Sequence, residues 1–331
     1  MNSPKIVVTY NGKNISEDLQ PFALGLTYTD KVKGETDEIS LSVEDADGRW
    51  RYTWLPVKGD KIEVSLALDG FVLPCGVFTV DEIELTGPPD VVNIKGLAVP
   101  ITSSLRTKKS YAHENKKISQ IAKTVADANG LTVLGTIEPD IVVEKSTQFR
   151  ESDLAYLKRL GSQFGMIFSV RGETLVFTSI YRLEAGSSVA TLTRAELIRY
   201  TLKDSTDKIY KAAKVAYHNP DNQTTVSGET TETVDGVGDT LEIRTRADNR
   251  GQAEAMTKAA LHDANTRQQA GTITVSGNLV LVSGSNFTLT GMGRLSGVYH
   301  ITGSTHNITP SGGYSTDLEV KKVAAISEDL W

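Results

Sequence analysis

The sequence contains one cysteine, Cys75, in 331 residues. That excludes an internal disulfide, a zinc site built on several cysteines and a CxxC redox pair. Five histidines are present, His113, His218, His262, His300 and His306, and none falls in an HExxH, HxH or Cys/His spacing. No apolar run approaches the roughly 20 residues that a membrane-spanning helix needs. The N-terminal apolar stretch, Ile6 to Val8, is shorter than the roughly 7–15 residue core of a signal peptide. Membrane integration and signal-directed export are therefore not expected, and synthesis in a cytoplasm is. Charge of one sign is also scarce: 35 Lys and Arg stand against 41 Asp and Glu, a net of −6. The basic clusters Arg106-Thr107-Lys108-Lys109 and Lys116-Lys117 carry no interleaved aromatics. They suit a negatively charged protein neighbour better than a nucleic acid.

What is present is enough to fold. Hydrophobic residues make up 39% and charged residues 23%, which separates the chain from disordered sequences, and the length suits two or three domains. Lys5 to Tyr10 alternates and closes on Asn11-Gly12, the dipeptide of a type I′ hairpin. Ile39, Leu41 and Val43 share one face, as do Ile62, Val64 and Leu66. Gly76 to Leu85 and Val91 to Leu97 flank the turn-forming Gly87-Pro88-Pro89-Asp90. Short strands at this spacing predict an antiparallel barrel or sandwich.

The period changes after Tyr111. Ile118, Ile121, Ala122, Val125 and Ala126 predict a helix over Glu114 to Asn129 with Gly130 at its C-terminal cap. A second is expected from Ser152 to Phe164, with Ser152 and Asp153 at its start, and then a hairpin around Arg171-Gly172-Glu173-Thr174. Strand character returns at Ile209 to His218 and resumes after a polar loop, Asn219 to Gly228. Ala253, Met256, Ala260 and Ala264 give a third helix, Ala247 to Gln269, a small-residue face. Strands then recur at Thr272–Ser276, Leu279–Val282, Phe287–Thr290, Val298–Ser304 and Tyr314–Val323. The organisation expected is a β domain at 1–105, an α+β domain at 106–204, a second β domain at 205–323 with a helix inserted at about 247–269, and a tail at 324–331.

Chemistry is hard to find. His300 and His306 lie six apart with no third ligand beside them. Asp45-Ala46-Asp47-Gly48 opens like a calcium loop, but its twelfth position is Pro56 rather than an acid, so a turn is expected. Glu82 and Glu84 share the solvent face of one strand and do not straddle a bond as a glycosidase pair must. Gly291 to Gly297 is neither GxGxxG nor GxxxxGK[ST], and strands follow it. No GxSxG elbow occurs, and Cys75, between Pro74 and Gly76, reads as a small apolar filler. If the chain were a cell-wall hydrolase, Glu82, Glu84 and Asp153 would be its candidates. If it were a carbohydrate-binding module for host recognition, Trp50 and Trp54 would be its stacking platforms.

Several segments together resemble the late control protein D family, the baseplate hubs of contractile-tailed bacteriophages. They are Ala46-Asp47-Gly48-Arg49-Trp50 continuing to Trp54-Leu55-Pro56-Val57-Lys58-Gly59-Asp60, Cys75 to Glu84, Gly87-Pro88-Pro89-Asp90 and Leu105 to Ser110. Glu151 to Leu160 with Gly165, Gly297 to Ile301 and Ser311 to Thr316 follow in the same order. The segment Glu151 to Leu160 is also similar to the hub part of type VI secretion spike proteins. The resemblance implies two similar antiparallel β-barrels, an α+β domain between them and a homotrimer forming a pseudo-sixfold ring. Such a ring adapts a sixfold tail tube to a threefold central spike in the baseplate. The implied partners are the spike, the tube, and the tape-measure and wedge proteins; no catalysis and no cofactor are implied. Trp50, Trp54 and Trp331 are the candidate interface anchors.

Overall fold

The structure, a computed structural model, describes residues 4–32, 36–98, 104–171, 173–219, 224–232, 238–266, 268–310 and 312–323. The first run of elements is β1 (Lys5–Tyr10), β2 (Lys13–Asn14), α1 (Ser16–Leu19), β3 (Ala23–Lys31), β4 (Glu38–Glu44), β5 (Lys61–Leu68), β6 (Phe71–Thr86) and β7 (Val91–Leu97). Asn11 and Gly12 both have positive φ, 46° and 83°, as a type I′ connection between β1 and β2 requires. Ile39, Leu41 and Val43 of β4 are buried while Ser40 and Ser42 are not.

The middle run is β8 (Lys108–Lys117), α2 (Ile118–Ala128), β9 (Thr132–Leu134), β10 (Val142–Ser152), α3 (Asp153–Phe164), β11 (Met166–Arg171), β12 (Thr174–Ser179) and α4 (Ile180–Glu184). The helix expected from Glu114 begins at Ile118, because Lys108–Lys117 is held extended by antiparallel pairing with β10. Its apolar face is the expected one, with Ile118, Ile121, Ala122, Val125 and Ala126 buried. At the start of α3 the Ser152 hydroxyl accepts the Ala155 amide at 3.2 Å, and Gly165 ends the helix at φ 69°.

The last run is β13 (Ser188–Thr193), β14 (Leu197–Asp204), β15 (Ala212–Asn219), β16 (Thr224–Thr231), β17 (Thr240–Ile243), α5 (Arg250–Asn265), β18 (Gln269–Ser276), β19 (Asn286–Thr290), β20 (Gly297–Thr309) and β21 (Gly313–Lys322). The polar stretch expected as a loop becomes strand at Thr224, where β16 pairs with β15. Asn249 caps α5 by accepting the Gln252 amide at 2.9 Å. The buried face of α5 is Gln252, Ala253, Met256, Thr257, Ala259 and Leu261, so Ala260 and Ala264 lie at its margin, half-buried. Leu279–Val282 is not a strand; Leu281 is nonetheless fully buried.

The fold is mainly β, as expected, but among the described residues its strands do not close into two separate barrels. Thirteen strands join one sheet, with the path β14-β18-β21-β20-β3-β4-β7-β6-β5-β1-β2 and a branch in which β13 pairs β19 and β19 pairs β20. The physical reason is β20, whose register shifts between Ile301 and Gly303. Its first part pairs with β19 and its second with β3, so one strand links the N-terminal and C-terminal runs. Three hydrophobic cores result. One fills the N-terminal run and takes in Leu279, Ile308 and Tyr314; a second lies under β18–β21. The third joins α2, α3 and the β11–β12 hairpin to Val215, Ala247, Ala253 and Met256.

Candidate functional site

The segment between β4 and β5 is built around Asp45. Its carboxylate is fully buried, accepts the Trp50 amide at 2.8 Å and lies 2.8 Å from Arg51 Nε. Arg51 continues to Asp90 at 3.0 Å, binding this segment to the Gly87–Asp90 turn. The calcium-like tetrapeptide is therefore a turn whose first acid is consumed by the protein itself. The tight loop folds Trp50 and Trp54 onto each other, edge to face at 5.4 Å, and both onto Phe22. Arg49 lies over the rings of Phe22 and Trp54 at 4.7 and 4.8 Å, anchored by Asp47.

The two tryptophans differ in access. Trp50 is 5% exposed and packs in the N-terminal core, which leaves no open face for a sugar to stack on. Trp54 is 37% exposed, and Tyr52, Leu55 and Val57 beside it are exposed too. Together they make an apolar loop surface over a cleft lined by Tyr10, Ile15, Leu19 and Pro56. The third anchor, Trp331, lies outside the described residues with the rest of 324–331.

The fold places Glu82 and Glu84 on one strand and Asp153 in a different unit. Glu82 and Glu84 are exposed on β6, and Glu84 accepts from Asn93 at 3.3 Å. Asp153 is buried in the middle unit at the first turn of α3. Its carboxylate receives Lys109 at 2.6 Å, Asn129 at 2.9 Å and Gln148 at 2.9 Å. A carboxylate so fully engaged is a structural clamp between β8, α2, β10 and α3.

The histidines are likewise engaged singly. His300 Nδ1 is 2.7 Å from Asn286 Oδ1, and His306 Nδ1 is 2.7 Å from the Tyr314 hydroxyl. Among the described residues no group of three His, Cys, Asp or Glu side chains could hold a metal. Gly291–Gly297 is the connection of the β19–β20 hairpin, and Arg294 in it gives its carbonyl to Lys322 at 2.8 Å. Cys75 is buried; burial, with Asp30 and Asp37 nearby, pushes its thiol up to about 12, the opposite of a nucleophile's requirement.

A polar junction that the sequence pattern did not reveal joins the middle unit to the C-terminal strands. Glu184, at the end of α4, meets His262 of α5 at 3.1 Å and Lys321 of β21, with both acid and lysine nearly inaccessible. Burial pushes the Glu184 carboxyl up, but the His262 hydrogen bond and the Lys321 ammonium outweigh it and hold it at about 2. Beside it, the Asn286 amide donates to the carbonyls of Leu183, Glu184 and Gly186 at 2.7–3.1 Å, closing the C-terminal end of α4. In sequence Lys321 falls in register with the polar Asp317 and Glu319 of β21, so its burial had no local signal.

The large sheet leaves open backbone. Among the described residues β14 pairs with β18 alone. Ile198 and Tyr200 on it are 61% and 38% exposed. At the opposite end, β1 is covered at Thr9 and Tyr10 by β2 and at Val8 by Ile15 and Ser16, and β2 ends the strand order. Open edges of this kind are templates for pairing with another chain. No helix of the described residues is long and apolar enough to cross a membrane.

Residues 102–312 match the phage tail baseplate hub (GPD) family. The chain is 30% identical over 189 residues to a probable baseplate hub protein of Escherichia phage 186, a match covering 56% of this chain and 46% of that protein. It thus spans about half the length of this curated relative. Its fold is similar to a tail protein from Neisseria meningitidis, with a TM-score of 0.73, 14% identity and 97% of each chain covered. It is also similar to an E. coli type VI secretion component described as resembling the T4 tail proteins gp27 and gp5. There the TM-score is 0.56 at 13% identity, with 92% of this chain and 74% of that one covered.

Proposed function

The chain belongs to the phage tail baseplate hub family, and we propose that it is the structural hub of a contractile tail or tail-like particle. In this reading three copies form a ring that adapts a sixfold tail tube to a threefold central spike, without catalysis. The observation that carries it is the family match over 102–312, which takes in the middle unit and most of the C-terminal run.

The architecture supports it in physical terms. On one side of the β3–β20 pairing stand β14, β18, β21 and β20, with β19 and β13 branching from β20; on the other stand β3, β4, β7, β6, β5, β1 and β2. One such run on each side of the seam in every chain gives three chains six positions, while the true symmetry stays threefold for a spike. We take these runs as the cores of two similar barrel-like units, residues 1–105 and 205–323, the second completed by β13 and β14 from the α+β unit 106–204 that lies between them, with 324–331 as a tail. Pairing at the open edge of β14 is an economical way for neighbours to join, since unlike surfaces on one chain close a ring when the rotation allows. Trp54 is assigned as an anchor to a neighbour, Trp50 as the buried support beneath it, and Trp331 as a further anchor in the tail. The spike, tube, tape-measure and wedge proteins are the partners this reading implies, in the virion baseplate.

The alternative of a wall hydrolase finds no support in a buried, triply bonded Asp153 and two exposed acids on one strand face. A zymogram of purified protein on bacterial cell walls tests this part. The hub reading expects no clearing, and clearing abolished by amide substitution of Glu82, Glu84 or Asp153 would overturn it.

A further inference from the structure

The N-terminal and C-terminal runs of the sheet meet where β3 pairs with β20, from Leu26–Ile308 to Lys31–Gly303. Directly at this seam His306 is fully buried. Its ring is stacked with Tyr28 of β3 at 6.0 Å and with Tyr314 of β21 at 5.9 Å. Nδ1 faces the Tyr314 hydroxyl at 2.7 Å and the Thr316 hydroxyl at 3.4 Å. Nε2 is buried and has no hydrogen-bond partner among the described residues.

A neutral imidazole tolerates this site with its single proton on Nδ1 and a bare acceptor at Nε2. An imidazolium has two donors, and the second would point at nothing while its charge sat fully buried, away from water. Among the described residues no acid is hydrogen-bonded to the ring. Asp30 on β3 gives its carboxylate to the amide and hydroxyl of Ser283. Cys75 on β6 and Tyr314 are both pushed up by burial and stay neutral. On β21 Asp317 is occupied by Thr274 and Asn307. Burial accordingly pulls the His306 imidazole down to about 4.

We propose that His306 is an acid-sensitive latch: protonation drives its ring out from between Tyr28 and Tyr314 and loosens the β3–β20 seam while the middle unit stays folded. The middle unit has its own core, so the two can part company. A histidine whose folded value lies below its free one favours the folded form above the free value, and that advantage is lost as pH falls from 6.5 towards 4.

Cys75, buried in the same core and the only thiol in the chain, reports the opening. Its reaction with 4,4′-dithiodipyridine, a reagent active in acid, is measured against free cysteine at each pH. Going from pH 7 to 4.5, the relative rate is expected to rise about 50-fold, from the ratio of the unprotonated fraction in the closed form to that in the open form, with far-UV circular dichroism unchanged. In His306→Phe, and independently in His306→Gln, the rate should stay flat within about threefold. A flat wild-type profile overturns the proposal. So does an equal rise in either folded variant, which would assign the opening to another group such as buried His113, and so does loss of helix signal in step with thiol reaction.

Discussion

Lys109 Nζ lies 2.6 Å from Asp153 Oδ2, with the acid almost inaccessible and the lysine partly so. The contact ties β8 to the first turn of α3, and Asn129 and Gln148 complete the carboxylate's shell. Asp153→Asn removes the charge that all three donors address. Its expected cost is about 2 kcal/mol, the range of charge-assisted hydrogen bonds partly relieved by water at Lys109. Urea unfolding followed by far-UV circular dichroism checks it; an unchanged midpoint would show that the clamp contributes nothing.

Glu184 and Lys321 supply a pH dependence of defined sign. The carboxyl is held at about 2, below its ordinary 4.5, so its contribution is present above pH 4.5 and is lost as pH falls through 2. Glu184→Gln removes the carboxylate that meets both Lys321 and His262, at a cost of about 3 kcal/mol near neutrality. The variant's stability should change less than the wild type's between pH 4.5 and 2. Parallel pH profiles for the two proteins would contradict the assignment.

Among the described glycines, Gly271 is the one where an added Cβ would come closest to backbone. A Cβ placed there would stand 1.9 Å from the Thr201 carbonyl oxygen across the β14–β18 pairing. Gly271→Ala is expected to push β14 outward, costing about 2 kcal/mol and weakening self-association. Equal stability and equal assembly in the variant would show that the edge strand has slack.

Much of this was legible in advance. The alternation of β4, the Asn11-Gly12 turn, the apolar face of α2 and the Ser152 cap of α3 each depend on neighbours within a few residues, and each appears where periodicity puts it. The single sheet was not legible, because β3 and β20 lie far apart in sequence and their pairing obeys no local pattern. Helix periodicity likewise extended α2 back to Glu114, where cross-strand bonds to β10 decide the conformation instead. The junction of Glu184, His262 and Lys321 drew on three distant elements, and nothing in any one of them announces the others. Trp50 and Trp54 stood out as residue types, yet only the fold separates the buried ring from the accessible one.

That separation gives two different outcomes on truncation. Trp50→Ala should destabilise the N-terminal unit by about 3–5 kcal/mol, the cost of emptying a core aromatic site. Trp54→Ala should cost less than half of that while reducing association with neighbouring chains. Thermal unfolding and analytical ultracentrifugation separate the two effects, and a Trp54 variant that assembles as well as wild type would remove it from the interface.

Native mass spectrometry of the protein mixed with its cognate central spike reads the copy number of each directly, and the mixture is used because the spike can nucleate the ring. The account predicts one dominant complex with three copies of each chain. A monomeric hub that does not associate with the spike at micromolar concentration, or a complex with any other copy number, would contradict it.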